Sequence, residues 1–325
     1  MKSKYFKEID VLKGIGIFLV VLGHTPISAS LCHLIFSFHM PLFFFLSGFV
    51  FKKAPMFDFF IKKVKRIMIP YYIFSLVSFL MYFSLNHKNS IFTIKDFIIG
   101  TVLGISNDFY LSWNIALWFL PSLFFLNIML NFLFIIKNKK IKYLILTALS
   151  AIGVYITYLK LPILPFHIYS SLLMIPFFIL GFMTKKYYTS FTLKSKILES
   201  FITMGLLLAG LYMGYLNTQS PDVRFHIIGN PLTFYLGASL SIIGFLLLSK
   251  NIKYNNALEW LGINSLAILL IHLKVRFLSV KFISSFLNSN SDINGILISI
   301  LSILMMIIPI FIINKYVPFV VGVKK

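Results

Sequence analysis

Residues 293–314 read INGILISILSILMMIIPIFIIN, twenty-two in a row without a charge. About 20 apolar residues in an α-helix reach across a hydrocarbon core roughly 30 Å thick, and a helix satisfies its own backbone hydrogen bonds where water cannot. That run predicts a membrane-spanning helix. Nine further windows of similar length are bounded by charge, Pro or Asn clusters, at 11–27, 34–51, 68–86, 113–136, 141–159, 167–184, 197–217, 231–249 and 257–273. The stretch 91–105, IFTIKDFIIGTVLGI, is shorter and carries Lys95 and Asp96, so it reads as a helix lying in the interface. The expectation is an all-α protein: a polytopic integral membrane bundle of about ten transmembrane helices forming a single domain over residues 1–325.

Composition points the same way. The chain is 59% hydrophobic and 12% charged, against about 45–50% apolar and about 25% charged in soluble domains, which excludes an ordinary water-soluble enzyme. The single cysteine, Cys32, excludes an intramolecular disulfide and a Cys-based zinc site. No two histidines share the i, i+4 spacing of a zinc-protease helix, so no metal is expected. Lys2, Lys4 and Lys7 before an apolar run, with Ser28-Ala29-Ser30 beyond it, imitate a secretory signal; Asp10 and Lys13 interrupt the run, and it is expected to be retained.

A net charge of +21 would suggest nucleic acid as the partner of a soluble protein. Here its distribution gives a simpler account. Ten spans place twenty-two of the thirty Lys and Arg on one side and seven on the other, with Lys13 inside the first span. Cations gather on the cytoplasmic side of membrane proteins, so both termini are expected in the cytoplasm, with anionic membrane lipids as partners and no nucleic acid.

Ionisable groups inside hydrocarbon cost roughly 2.5–3.5 kcal/mol on insertion scales, and each needs a reason. The first span carries Asp10, Lys13 and His24. Eleven steps at about 100° return to within about 20° of the starting face, so Lys13 and His24 look into the same space about 16 Å apart along the axis. Alternatively Lys13 snorkels, Asp10 pairs with it, and His24 lies near a helix end. In the second span His39 precedes Met40-Pro41, where a missing backbone donor frees carbonyls; His39 can face His24 or bond such a carbonyl. Ser47 and Gly48 read as residues for close helix packing. Lys62-Lys63-Val64-Lys65-Arg66 can bind anionic lipid or clamp the phosphates of a nucleotide cofactor, for which Arg offers the better fork. Trp113, Asn114 and Trp118 open the fourth span at the outer side and His272 ends the ninth, also outside. His33, His87, His167 and His226 fall in or near loops and read mostly as solvated surface residues.

The segments DVLKGIGIFLVVLGH from Asp10 and FSFHMPLFFFLSGFVF from Phe36 resemble the membrane-bound acyltransferase 3 family of bacterial O-acetyltransferases. KKVKRIMIPYY from Lys62, LWFLPS from Leu117, GNPLTFYLGA from Gly229 and EWLGINSLAILLIH ending at His272 extend the resemblance over nearly the whole chain. Within that family the sequence is most similar to the fucose 4-O-acetylase-like branch. The resemblance implies a ten-helix core in the bacterial cytoplasmic membrane. It also implies acyl transfer, usually of acetyl from cytosolic acetyl-CoA, to a hydroxyl of an extracytoplasmic glycan or lipid-linked sugar. The family's Arg, ten residues, His pattern falls on Lys13 and His24, and its Arg-x-x-Arg pattern on Lys63 and Arg66, with Lys at the first position each time.

An alcohol attacking a thioester needs a base with a pKa near 7, which imidazole supplies. His24 is the expected general base, with an acetyl-imidazole intermediate on the same ring as the rival mechanism. Asp10, Lys13 and His39 complete the expected catalytic set. Lys62, Lys63 and Arg66 are expected to hold the donor's phosphates, and Asn114, Trp118 and His272 to contact acyl group or acceptor. The alternative of a different class is a transporter or flippase for a lipid-linked glycan, since buried charge and Pro-containing helices also suit substrate pathways.

Overall fold

Apolar runs with no water to bond must close their hydrogen bonds within the segment, and helices are the result. The computed structural model describes residues 6–85, 92–107, 109–159, 161–188, 195–284 and 291–322; Lys2, Lys4, His87, Lys88, Lys160, Lys194, Lys324 and Lys325 lie outside them. The first helices are α1 (Lys7–Gly23), α2 (Ala29–Phe36), α3 (His39–Val50), α4 (Met56–Lys63), α5 (Ile69–Leu85) and α6 (Ile94–Leu103). Then come α7 (Phe119–Leu133), α8 (Lys139–Ile156), α9 (Ile168–Leu173), α10 (Ile175–Tyr188) and α11 (Lys196–Tyr215). The last are α12 (Pro231–Asn251), α13 (Asn256–Ile263), α14 (Ser265–Ser284) and α15 (Asp292–Tyr316). Among the described residues there is no strand, only an isolated bridge between Asp222 and Ile227.

Six helical stretches are long and apolar enough to cross a bilayer: Ala29–Val50, Met56–Ser84, Ser112–Leu133, Lys196–Tyr215, Pro231–Asn251 and Asp292–Tyr316. A bent pair, Pro165–Leu173 with Ile175–Tyr188, makes a seventh. The protein is therefore a helical membrane protein. The windows 11–27, 141–159 and 257–273 also fall on helices but are not among these seven. The helix in the first, α1, is only 17 residues long. The second, α8, opens with Lys139, Lys140 and Lys142. The third is not one helix: the chain breaks at Asn264, and α14 continues to Ser284 through Lys274, Arg276 and Lys281. The shorter stretch around 91–105 forms α6, just 10 residues, closed at its start by a capping box between Thr93 and Asp96 and at its end by left-handed Gly104.

The helices fall into two compact units. One comprises Met1–Val50, Phe177–Asp222 and Ile227–Ile310; the other comprises Phe51–Pro176, Val223–His226 and Phe311–Lys325. In the first unit, small residues let helix backbones touch. A Cβ on Gly14 would overlap the carbonyl of Leu258, and one on Gly262 the carbonyl of Asp10, so α1 and α13 pack main chain to main chain. Gly48 meets Phe178 and Gly181 meets Phe45 in the same manner, which is the close packing that Ser47-Gly48 suggests. The break between α2 and α3 precedes Pro41, whose ring crowds the carbonyl four residues back and offers no N–H.

In the second unit a polar ladder joins α5, α6 and the 3₁₀ segment Ser112–Trp118. Tyr71 donates to the Thr101 carbonyl at 2.9 Å, and the Ser75 and Thr101 hydroxyls lie 2.8 Å apart. Trp113 Nε1 donates to Ser75 Oγ at 3.4 Å and Asn114 Nδ2 to Ser78 Oγ at 3.0 Å. Each pairing removes a penalty that an unsatisfied group would carry in this apolar setting.

Candidate functional site

The first span ends where Thr25-Pro26 makes a further helical turn unfavourable, because a residue before proline avoids the α region. His24 is the terminal cap of α1. The chain beyond it is pinned: Thr25 Oγ1 donates to the Leu22 carbonyl at 2.7 Å and the Gly295 carbonyl at 3.2 Å. Ser28 donates N–H and hydroxyl to the Asp292 carboxylate at 2.6 and 3.0 Å. His24 is half-buried, and its own carbonyl accepts a hydrogen bond from the Arg276 guanidinium on α14.

Around that ring stand two more imidazoles. The His272 ring centre lies 5.3 Å from that of His24, tilted by 36°. Phe36 meets His24 edge-on at 6.2 Å and His39 at 4.8 Å, and so sits beside both. His39 is buried, and its Nδ1 contacts the Ile35 carbonyl at 2.8 Å. His272 is fully buried, with Nδ1 against the carbonyls of Leu269 at 2.9 Å and Ile268 at 3.2 Å. A carbonyl only accepts, so both rings carry their proton on Nδ1 and a lone pair on Nε2 when neutral. The first unit thus brings together His24, His39 and His272, and adds Arg276. A ninth window ending at 273 leaves Arg276 outside the span; its position four residues after His272, on one helix face, is the signal that links the two.

Asp10 and Lys13 pair with each other instead of standing alone, Nζ to Oδ1 at 2.8 Å across one turn of α1. This is the pairing alternative raised by the sequence, and it lowers the cost of both charges.

The basic run lies in the second unit, where α4 passes into a π-helical turn, Val64–Met68, before α5. Lys62, Lys65, Arg66 and Ile69 line a cleft of about 920 Å³ together with Asp58, and Tyr316, Pro318 and Phe319 line it from the C-terminal segment. Gly322, in a left-handed conformation, closes on the Arg66 carbonyl so tightly that a Cβ would lie 2.7 Å from it. Lys63 does not line this cleft. Its Nζ donates to Asn127 Oδ1 at 2.7 Å and sits 5.2 Å from the centre of the Phe59 ring. Lys65, three residues after Lys62 on the same face, belongs with the cleft and was not singled out from sequence.

With this geometry in view, comparison with known families is decisive. A family model described as an acyltransferase domain matches residues 6–315. The chain belongs to the acyltransferase 3 family. Neither the curated proteins nor the solved structures give a match. Membership makes the protein a membrane acyltransferase, and neither fold nor family favours the transporter alternative.

In this acyltransferase, Asn114 and Trp118 belong to the second unit. Asn114 is buried at a non-helical point of its 3₁₀ segment. The Trp118 ring lies 5.4 Å from that of His167. His167 and His226 correct the expectation of solvated loop residues. His167 is fully buried, its Nε2 accepting the Ser106 N–H at 3.0 Å, and His226 is buried with its ring 5.3 Å from Tyr169. His33 is half-buried and contacts the Gly214 carbonyl at 2.8 Å. The physical reason is packing against these neighbours, which also holds His167 and His226 at positive φ, of 48° and 62°, as it does Leu111 and Phe166, each at 55°. Such residues persist only where packing over-determines them. Burial pushes the His226 imidazole down to about 4.

Chemically, the first unit offers a half-exposed imidazole with a second lone pair beside it and a fixed cation at its main chain. The cleft offers three exposed cations, one a planar guanidinium. Among the described residues no cluster of metal-ligating side chains occurs.

Proposed function

We propose that this acyltransferase moves an acetyl group from cytosolic acetyl-CoA to a hydroxyl of an extracytoplasmic glycan or lipid-linked sugar, with His24 as general base. The observation that carries the reading is His24 itself: a half-buried imidazole just past a membrane helix, its main chain held by Arg276 and its ring beside His272. As the acceptor oxygen attacks the thioester carbonyl, its proton passes to His24. The C–S bond breaks, and the proton then goes to the departing thiolate. Lys62 and Arg66 hold the donor's phosphates, Arg66 through its fork, joined by Lys65. Lys63, bonded to Asn127, buttresses that helix turn. Asp10 orients Lys13, whose charge assists donor binding; Asn114 and Trp118 shape the surroundings of the acyl group or acceptor. The fucose 4-O-acetylase-like branch and a bacterial cytoplasmic membrane fit this assignment, as do ten spans with both termini inside.

The test is turnover of acetyl-CoA by purified protein in lipid nanodiscs. His24→Ala removes the proton acceptor and should cost on the order of 10²- to 10⁴-fold in rate while the protein still inserts. Undiminished turnover would take His24 out of the mechanism.

A further inference from the structure

His272 has no ordinary reason to be a histidine. It is fully buried in a unit whose packing would be served by leucine or phenylalanine, and its Nε2 has no hydrogen-bond partner. A buried polar atom left unmade loses its hydration without return, and such an atom in a folded protein calls for an explanation. Nδ1 is committed to the carbonyls of Ile268 and Leu269, so Nε2 can only accept. The neighbouring ring, 5.3 Å away between centres, is His24. His24 is half-buried and caps the end of α1. Ring centres at that separation leave about 3 Å between ring nitrogens that face each other, which is hydrogen-bond reach.

We infer that His272 is a positioning residue for the reaction: its Nε2 accepts an N–H from His24 and so selects which His24 nitrogen faces the acceptor hydroxyl. This rests on the reading of His24 as base. The acceptor's proton still goes to His24 and then to the thiolate. His272 gains no proton; it holds the ring in one tautomer and shares the positive charge of the transient imidazolium, the part a carboxylate plays in a hydrolase triad. A neutral partner suits this place, because a buried carboxylate would carry the larger desolvation cost. Arg276, one turn further along α14, anchors the other side of the same residue through its carbonyl. His39 also has its Nδ1 tied to a carbonyl, but its ring packs on Phe36, so it is the imidazole to compare with His272.

The experiment compares His272→Gln, His272→Asn and His272→Phe in nanodiscs with acetyl-CoA as the varied substrate, beside His24→Ala and His39→Phe. Gln reaches far enough to keep an acceptor near the Nε2 position; Asn can satisfy the carbonyls but not reach; Phe keeps the volume alone. The expected result is a kcat lowered about 10- to 100-fold in Asn and Phe, with KM for acetyl-CoA unchanged and Gln within about 10-fold of wild type. Equal rates in Gln and Asn overturn the proposal, whether or not Phe inserts. So does a loss confined to KM, or a loss in His39→Phe with none in the His272 variants. If His24→Ala turns over normally, the base reading itself has failed; if His24→Ala is inactive while the His272 variants are not, only the positioning role has.

Discussion

The carbonyl of His24 is bonded by Arg276 from another helix, so the imidazole hangs from a main chain fixed at two points, here and at Thr25. Small displacements of a reacting group cost large factors in rate. Arg276→Met should therefore lower kcat by about 10-fold with little change in KM for acetyl-CoA; a change confined to KM would make Arg276 a donor-binding residue instead. His24, His39 and His272 were legible in the sequence because polar groups are expensive inside apolar runs. Arg276 was not, since a span closed at 273 leaves it in a loop. His167 and His226 escape the sequence for a related reason: position in a loop says nothing about packing, and both are buried beside another ring, Trp118 and Tyr169. His226 yields a pH prediction. Its folded pKa of about 4 lies below the ordinary 6.5, so between those values the unfolded chain binds a proton that the folded one does not. Stability then falls as pH drops from about 6.5 towards 4, by up to roughly 3 kcal/mol, and no further below that. Asn tolerates a left-handed backbone, so in His226→Asn the melting temperature should lose less on acidification than in wild type; parallel curves would show that His226 does not contribute.

Helices come into contact here by removing side chains. Gly262 lies against the Asp10 carbonyl on α1 and Gly14 against the Leu258 carbonyl on α13, and neither site has room for a methyl group. Gly262→Ala must push α13 away from α1, the helix that ends at His24. Overpacking of this kind costs typically about 1–3 kcal/mol, so both melting temperature and turnover should fall. Gly205, inside α11, has no heavy atom within 4 Å of a built Cβ. There Ala gains helix propensity, about 0.5–1 kcal/mol, and Gly205→Ala should melt at or above the wild-type temperature. If the two variants melted alike, backbone contact would not be what joins α1 to α13. At this scale most elements could be read in advance, since all ten apolar windows fall on helices. The breaks were legible only in part. Pro41 marks the one after Phe36 and Pro176 the one at Met174, but Asn264 is an ordinary polar residue, and nothing in Val64–Met68 announces a π turn. Lys63 parts from Lys62 for a plainer reason, since adjacent residues of a helix point about 100° apart, while Lys62 and Arg66 are four residues apart.

For the whole molecule the question is how many times the chain crosses the bilayer, and parity makes it testable. Seven stretches pass on length and apolarity alone, and an odd number puts the two termini on opposite sides. Three more helices fall short, each for a reason that crossing tolerates. At 17 residues, α1 spans about 25 Å, a modest mismatch that local thinning accommodates. The charges of α8 are three lysines in its first turn, where long side chains snorkel to the headgroups. In α14, Arg276 does not face lipid, since it bonds the His24 carbonyl. Counting these three as crossings makes ten, the number proposed above, and puts twenty-two of the thirty Lys and Arg on one side, in keeping with the preference of cations for the cytoplasm. Reporters active only in the cytoplasm, fused separately to each terminus, should therefore both be active. A reporter placed after Leu216 should be silent in the same cells. Activity at one terminus only would mean that one or all three of α1, α8 and α14 stay on one side, and the loop after α8 would then help to show which.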